Sequence, residues 1–344
     1  MAFETELVST SEGLDRIAGE WTSLIDRVPD ATPFQLPLWL ATWWRHFGSG
    51  ELWTLAFRRD SRLVGLAPMF LHHWQGRRQV TLVGTGLSDY LDLIAEPEHA
   101  RECAQATLEF AVERRKQWDL WDWQDLPATS ALLSCKAAGV DQLTSDHLWC
   151  TRAPLPSTEQ AFDERLPHGL RRNIRRYKER LQREHSARFE TVTDDPSGEI
   201  LETLFVLHAR RWRAQGEPGM LAGHEPFFRA VTKKLAKAGI LRLHTLTVDG
   251  RIAGVIYQAA HRDRACAYIT GFDPMFERFS SGSLLLDYAM RRAIGEGARV
   301  WDFLRGREAY KSQWGAKEIR KRRLRLWHEP AHAPEEVTPA AALA

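Results

Sequence analysis

The chain has 344 residues, 44% hydrophobic and 27% charged, the balance of a globular protein long enough for two cores. Its 47 basic and 45 acidic side chains leave a formal charge of +2, which removes any global electrostatic case for nucleic acid, and DNA is not expected as a partner. No stretch nears the roughly 18 apolar residues of a membrane helix. The first residues carry acids rather than a signal-peptide core. Cys103, Cys135, Cys150 and Cys266 are scattered without ligand spacing, so reduced thiols in a cytoplasmic protein are expected.

In chain order, Phe34–Gly48 (FQLPLWLATWWRHFG) is dense in aromatics. Trp43 and Trp44 are expected to pack a core, with Trp44 a candidate for lining a sugar site. Leu52–Gly65 (LWTLAFRRDSRLVG) has the form strand, charged turn, strand. A second strand (LVGLAPMFLHHW) and a third (RQVTLVGTGL) follow, then a helix-period segment over Ala100–Lys116 and a Trp-Asp strand at Leu120–Pro127 (LWDWQDLP). His72 and His73, adjacent on a strand, point to opposite faces, so no metal site is expected. After a Pro-bearing connection at Pro154–Leu170, Arg171–Arg183 (RRNIRRYKERLQR) is strongly basic. Leu170, Ile174, Tyr177 and Leu181 recur there at helical spacing, which predicts an amphipathic helix with a solvated basic face. Contact with phosphates, or with tRNA, is the sharper reading, but no aromatic stacking platform accompanies it.

The order of the first half then recurs. Leu241–Gly254 (LRLHTLTVDGRIAG) holds the hairpin dipeptide Asp249-Gly250, and IAGVIYQAAHR and RACAYITGF follow. A helix over Ser283–Glu296 and the strand RVWDFLRG complete the set. Three antiparallel strands, a helix and a further strand make an α/β unit. Two copies predict tandem α/β domains, each a mixed, mostly antiparallel sheet flanked by helices, over residues 1–155 and 156–328. A loose Pro- and Ala-rich tail is expected at 329–344.

Two stretches carry chemistry. Ser280, Ser281, Gly282 and Ser283 form a small-residue turn opening onto an apolar helix, with Arg278 just before it. Free N–H groups and the helix dipole make this an anion cradle suited to a pyrophosphate; a simple helix cap is the plainer reading. The first half has only acids at the matching place, Asp89, Asp92, Glu96 and Glu98, so it is expected to shape the acceptor side. There Asp89 and Tyr90 either contact an amine or sugar or form a capped turn. In the strand Val300–Arg305, alternation puts Asp302 on a face with Val300 and Leu304, where a carboxylate needs a partner. A buried ion pair, with Arg305 or Arg307 as partner or phosphate contact, competes with a catalytic base, for which Asp273 is another candidate.

These residues resemble a known family. The ordered set FQLPLWLATWWRHFG, GLAPMF, GTGLSDYLDLI, GFDPMFERFSSGSLLLDYAM and WDFLRGREAYKSQWG is similar to tandem GNAT acyltransferases of the CelD/BcsL-like type, relatives of the FemABX peptidoglycan transferases, over about residues 5–328. The resemblance implies tandem GNAT-like domains, the first degenerate and the second binding acetyl-CoA or another acyl-CoA, with no metal. It implies acyl transfer to an amine or hydroxyl of a small-molecule, sugar or cell-envelope acceptor, as in cellulose or polysaccharide synthesis. Coenzyme A would bind at Arg278 and Ser280–Ser283, and backbone N–H groups near Ile269 and Gly271 would hold the acyl oxygen. Tyr310 would protonate the departing thiolate and Lys311 would stabilise charge. The single glycine departs from the family's phosphate loop, and Tyr310 precedes Gly315 by one residue more than usual. An aminoacyl-tRNA donor, as in the Fem relatives, and a non-catalytic factor in polysaccharide synthesis are the alternatives.

Overall fold

The computed structural model describes residues 3–213, 216, 219–329 and 332–333. The elements of the first half are β1 (Phe3–Val8), α1 (Ser11–Ile25), α2 (Pro37–Phe47), β2 (Glu51–Leu52), β3 (Thr54–Arg59), β4 (Arg62–Ala67), β5 (Met69–Trp74), β6 (Arg77–Leu82), β7 (Ile94–Ala95), α3 (Ala100–Glu113), β8 (Leu120–Pro127) and β9 (Asp141–Pro154). Those of the second are α4 (Glu159–Arg165), α5 (His168–Glu184), β10 (Ala187–Val192), α6 (Glu199–Arg213), α7 (Glu225–Lys237), β11 (Leu241–Val248), β12 (Arg251–His261), β13 (Arg264–Phe272), α8 (Ser281–Gly295), β14 (Val300–Arg305), α9 (Ala309–Gln313) and β15 (Lys317–Trp327). Among the described residues no helix is long and apolar enough to cross a membrane.

Two compact units form: residues 1–148 with 320–344, and residues 149–319. The first unit holds an antiparallel sheet ordered β1-β3-β4-β7 and a second strand set ordered β15-β8-β6-β5-β2. Its β3–β4 hairpin turns on Asp60 and Ser61, both at positive φ (48° and 65°), as a two-residue turn requires. Asp249 and Gly250 turn β11 into β12 in the same way (50° and 79°). The expected second strand of the first half is broken. Pro68 has no N–H for a ladder, so β4 ends at Ala67 and the chain restarts as β5 in the other strand set. In the second half the matching stretch runs unbroken as β12, absorbing its irregularity as a bulge at Tyr257/Gln258.

The second unit's strands run β10-β11-β12-β13-β14-β9, antiparallel except for β13–β14. Adjacent residues on β12 show the two layers. Tyr257 meets Phe228 and Thr232 of α7, whereas Ile256 belongs to the core of α8, α4 and α5. α8 is buried nearly all round through Leu284, Leu285, Leu286, Ala289, Met290, Ala293 and Ile294. α5 buries Ile174 and Leu181 and packs Leu170 and Tyr177, the predicted stripe.

Both halves repeat one device. A parallel pair runs for only two or three residues, Gln79–Val80 against Leu120–Trp121 and Arg264–Cys266 against Val300–Asp302. The Trp-Asp strand then bulges, at Asp125 (φ 63°) in β8 and Leu304 (φ 60°) in β14. Trp301 and Phe303 share the core under α8, as the expected alternation puts them on one face, and Asp302 and Leu304 are buried as well. In each half the Trp-Asp carboxylate meets an arginine from the next strand: Asp302 accepts from Arg152 (2.7 Å) and Asp122 from Arg323 (2.5 Å to both oxygens). That need explains why the unit boundaries differ from those expected at 155/156 and 328. The second unit takes residues 149–154 of β9, and residues 320–327 of β15 serve the first. Apart from Glu329, His332 and Ala333, the tail expected at 329–344 lies outside the described residues.

Candidate active site

Past their short pairing, β13 runs on to Phe272 and β14 to Arg305 without each other, and Ile269 and Gly271 lie on this parted length of β13, both buried. A 3₁₀ turn, Pro274–Phe279, leads from β13 to α8. Ser280 does not cap that helix as a serine usually does. Its backbone is left-handed (φ 53°), its carbonyl accepts from Ser283 and Leu284, and its hydroxyl goes to Ser283 Oγ (3.2 Å). The N–H groups of Ser281 and Gly282 therefore have no acceptor among the described residues, although the Ser281 side chain is itself buried. Gly282 has space around it: a Cβ would meet only the Phe272 ring, at 3.4 Å. Arg278 is exposed, pairs with Glu184 of α5 (3.2 Å) and lies over Phe279.

Two residues expected in catalysis have other duties. Asp302 is fully buried; one oxygen takes Arg152 and the other the bulge amide of Leu304 (2.9 Å). The carboxylate thus has an ion-pair partner, Arg152, that lies on another strand. Arg307 instead pairs with Glu318 (2.8 Å) and covers Trp149, while Arg305 is half-buried at the strand end. Lys311 is 4% exposed, and its ammonium is spent on the carbonyls of Arg305 (2.6 Å), Gly306 and Phe303 and on Glu308 (2.8 Å). It clamps the turn after β14. Tyr310 differs: it is 43% exposed, and desolvation together with Glu308 pushes its hydroxyl up to about 12, so it holds its proton at neutral pH.

α6 adds a residue that was not singled out in the sequence. Gly271 packs so closely under it that a Cβ would come within 3.1 Å of the His208 backbone nitrogen. The His208 imidazole is 5% exposed, lies tilted against the Trp212 ring and is approached by the backbone of Gly219, and its Nδ1 has no partner among the described residues. Burial, with Arg211 beside it, pushes its pKa down to about 4, so it is neutral at pH 7. The same Arg211 acts on Tyr310. Only tertiary burial marks this histidine; "LHARRWR" reads as an ordinary basic helix end. Asp273, the other candidate base, caps the 3₁₀ turn through Met275 N (3.0 Å).

In the first unit Asp89 and Tyr90 are each 4% exposed, and the Lys321 ammonium sits 3.7 Å over the Tyr90 ring. Glu96 binds Arg27 and Arg62, and Asp92, raised to about 7 by burial, accepts from Ser130. Glu98 and His99 lie near Glu96, whose oxygens are already taken. Trp44 is half-buried, edge-on to Phe70, and lines a cavity of about 450 Å³ with Trp53, Glu51 and Arg114.

Residues 168–312 match the family described as Acetyltransferase (GNAT) domain. No curated protein sequence matches the chain. In structure it is similar to FemX (14% identity, 96% of this chain and 98% of that one, TM-score 0.67). It is also similar to the C-terminal DUF2156 domain of an Agrobacterium fabrum protein described as a candidate lysylphosphatidylglycerol synthetase (14%, 92% and 93%, 0.59). L-PGS from Bacillus licheniformis is a third (10%, 90% and 92%, 0.58). Residues 168–312, within the second unit, therefore carry an acetyltransferase (GNAT) domain, in a chain folded along its length like FemX.

Proposed function

We propose that the protein is an acyl-CoA-dependent N-acyltransferase that moves an acetyl or longer acyl group to an amine of a small-molecule, sugar or cell-envelope acceptor. One observation carries this reading: the parted β13–β14 pair and the uncapped first turn of α8 share one end of one sheet. An acyl-CoA would supply an activated carbonyl and a pyrophosphate. The N–H groups of Ser281 and Gly282 suit the pyrophosphate. The backbone of Ile269–Gly271 suits the carbonyl oxygen. His208, kept neutral, takes the proton of the acceptor amine as the C–N bond forms, and Tyr310 gives its proton to sulfur as the C–S bond breaks. Asp302 and Lys311 hold the strand end that positions Tyr310. The family match over 168–312 contains all these residues.

A second reading, an aminoacyl-tRNA donor as in the Fem transferases, is favoured by α5, where Arg171, Arg172, Arg176 and Lys178 are exposed. Melting with acetyl-CoA, free coenzyme A and charged tRNA separates the two. Acetyl-CoA at 100 times its Kd is expected to raise stability by about 2.7 kcal/mol. Gly282→Glu, which has room for its Cβ, is expected to abolish that rise while leaving the unliganded Tm in place. A rise with tRNA alone transfers the assignment to the second reading; no rise with any of the three rejects both.

A further inference from the structure

We propose that the second unit carries a small-oxyanion site, sized for phosphate or sulfate, at the end of its sheet opposite the donor site. A cavity of about 140 Å³ opens there. Three arginines reach it from three places that the topology brings together: Arg242 at the start of β11, Arg262 in the β12–β13 turn and Arg264 at the start of β13. The acid on its wall is Glu296, just past α8. Arg242 Nε holds it at 2.8 Å and Arg292 approaches it at 3.8 Å, offsetting both its charge and the negative end of the helix.

The donors that remain point to an anion. Arg264 Nη1 is buried and has no acceptor among the described residues. Gln258 is 1% exposed; its Oε1 takes Nε2 of His244 (2.9 Å), and its amide nitrogen, without an acceptor among the described residues, is left for the cavity. A buried donor without an acceptor, as Arg264 Nη1 is, costs free energy, and the alanine methyls on the other walls offer none. Water would satisfy the hydrogen bonds but leave the Arg264 charge in place. A tetrahedral oxyanion answers both. The volume is about that of four or five waters. It is well below the roughly 300 Å³ of a drug-sized pocket, a size that suits a small oxyanion.

The test uses the full chain, with inorganic phosphate or sulfate titrated at constant ionic strength held by chloride and read by calorimetry and melting. One saturable site and a rise in Tm are expected. Arg264→Met, which keeps the apolar stem, should weaken binding at least tenfold with the Tm in chloride unchanged. Gly282→Glu, in the donor cradle, should bind phosphate like the parent. The proposal is overturned if chloride matches phosphate, if Arg264→Met binds undiminished, or if Gly282→Glu is the variant that loses the ion.

Discussion

His208 and His244 are both buried, and both have a pKa pushed down to about 4 by desolvation. In the unfolded chain each would titrate near 6.5. Between those values the unfolded state binds protons that the folded state refuses. Their contribution is intact above about pH 6.5 and is lost as pH falls towards 4. His208→Gln is expected to make this acid-side loss of stability shallower. It should also lower kcat by about 100-fold or more, the usual scale for a lost general base, without weakening acetyl-CoA binding. Parallel measurement of acid unfolding and of kcat and donor Kd checks both halves. A purely structural histidine would change the first and spare kcat. Tyr310, in contrast, was singled out beforehand, through the family resemblance of the stretch that follows the Trp-Asp strand.

Elements repeat more faithfully than side chains. The hairpins, the helix after the third strand and the Trp-Asp strand were all readable from periodicity and turn dipeptides, and α3, α5 and α8 fall close to the predicted spans. What periodicity cannot carry is a bulge, since one extra residue resets the alternation it relies on. At the β14 bulge Leu304 takes a left-handed backbone and its amide donates to Asp302. The break at Pro68 was visible as a residue but not as a change of sheet. The two β-turns show the repeat at finer grain, because the first places Ser61 at φ 65° where the second has Gly250. A non-glycine residue in the left-handed region costs roughly 1–2 kcal/mol. Ser61→Gly should therefore raise stability by about 0.5–1 kcal/mol after glycine's greater chain entropy is subtracted, measured by urea unfolding. The carbonyl that Arg58 holds there is backbone and survives the change.

At the scale of the whole molecule, each unit depends on a strand from the far side of the sequence. Asp302 lies 150 residues from Arg152, and Asp122 lies 201 from Arg323. No local pattern announces such partners, so the domain limits could not be placed from composition. Removing one member of a buried ion pair costs about 3–5 kcal/mol. A fragment of residues 149–319 should consequently show a cooperative unfolding transition, whereas 156–319, without Arg152, should be far less stable or unfolded by circular dichroism and melting. The placement of β15 also bears on how the chain is made. Synthesis runs from the amino end and domains commonly fold as they emerge. Here the leading half, its Asp122 without Arg323, must wait until the whole of the second unit has been made before β15 can complete it.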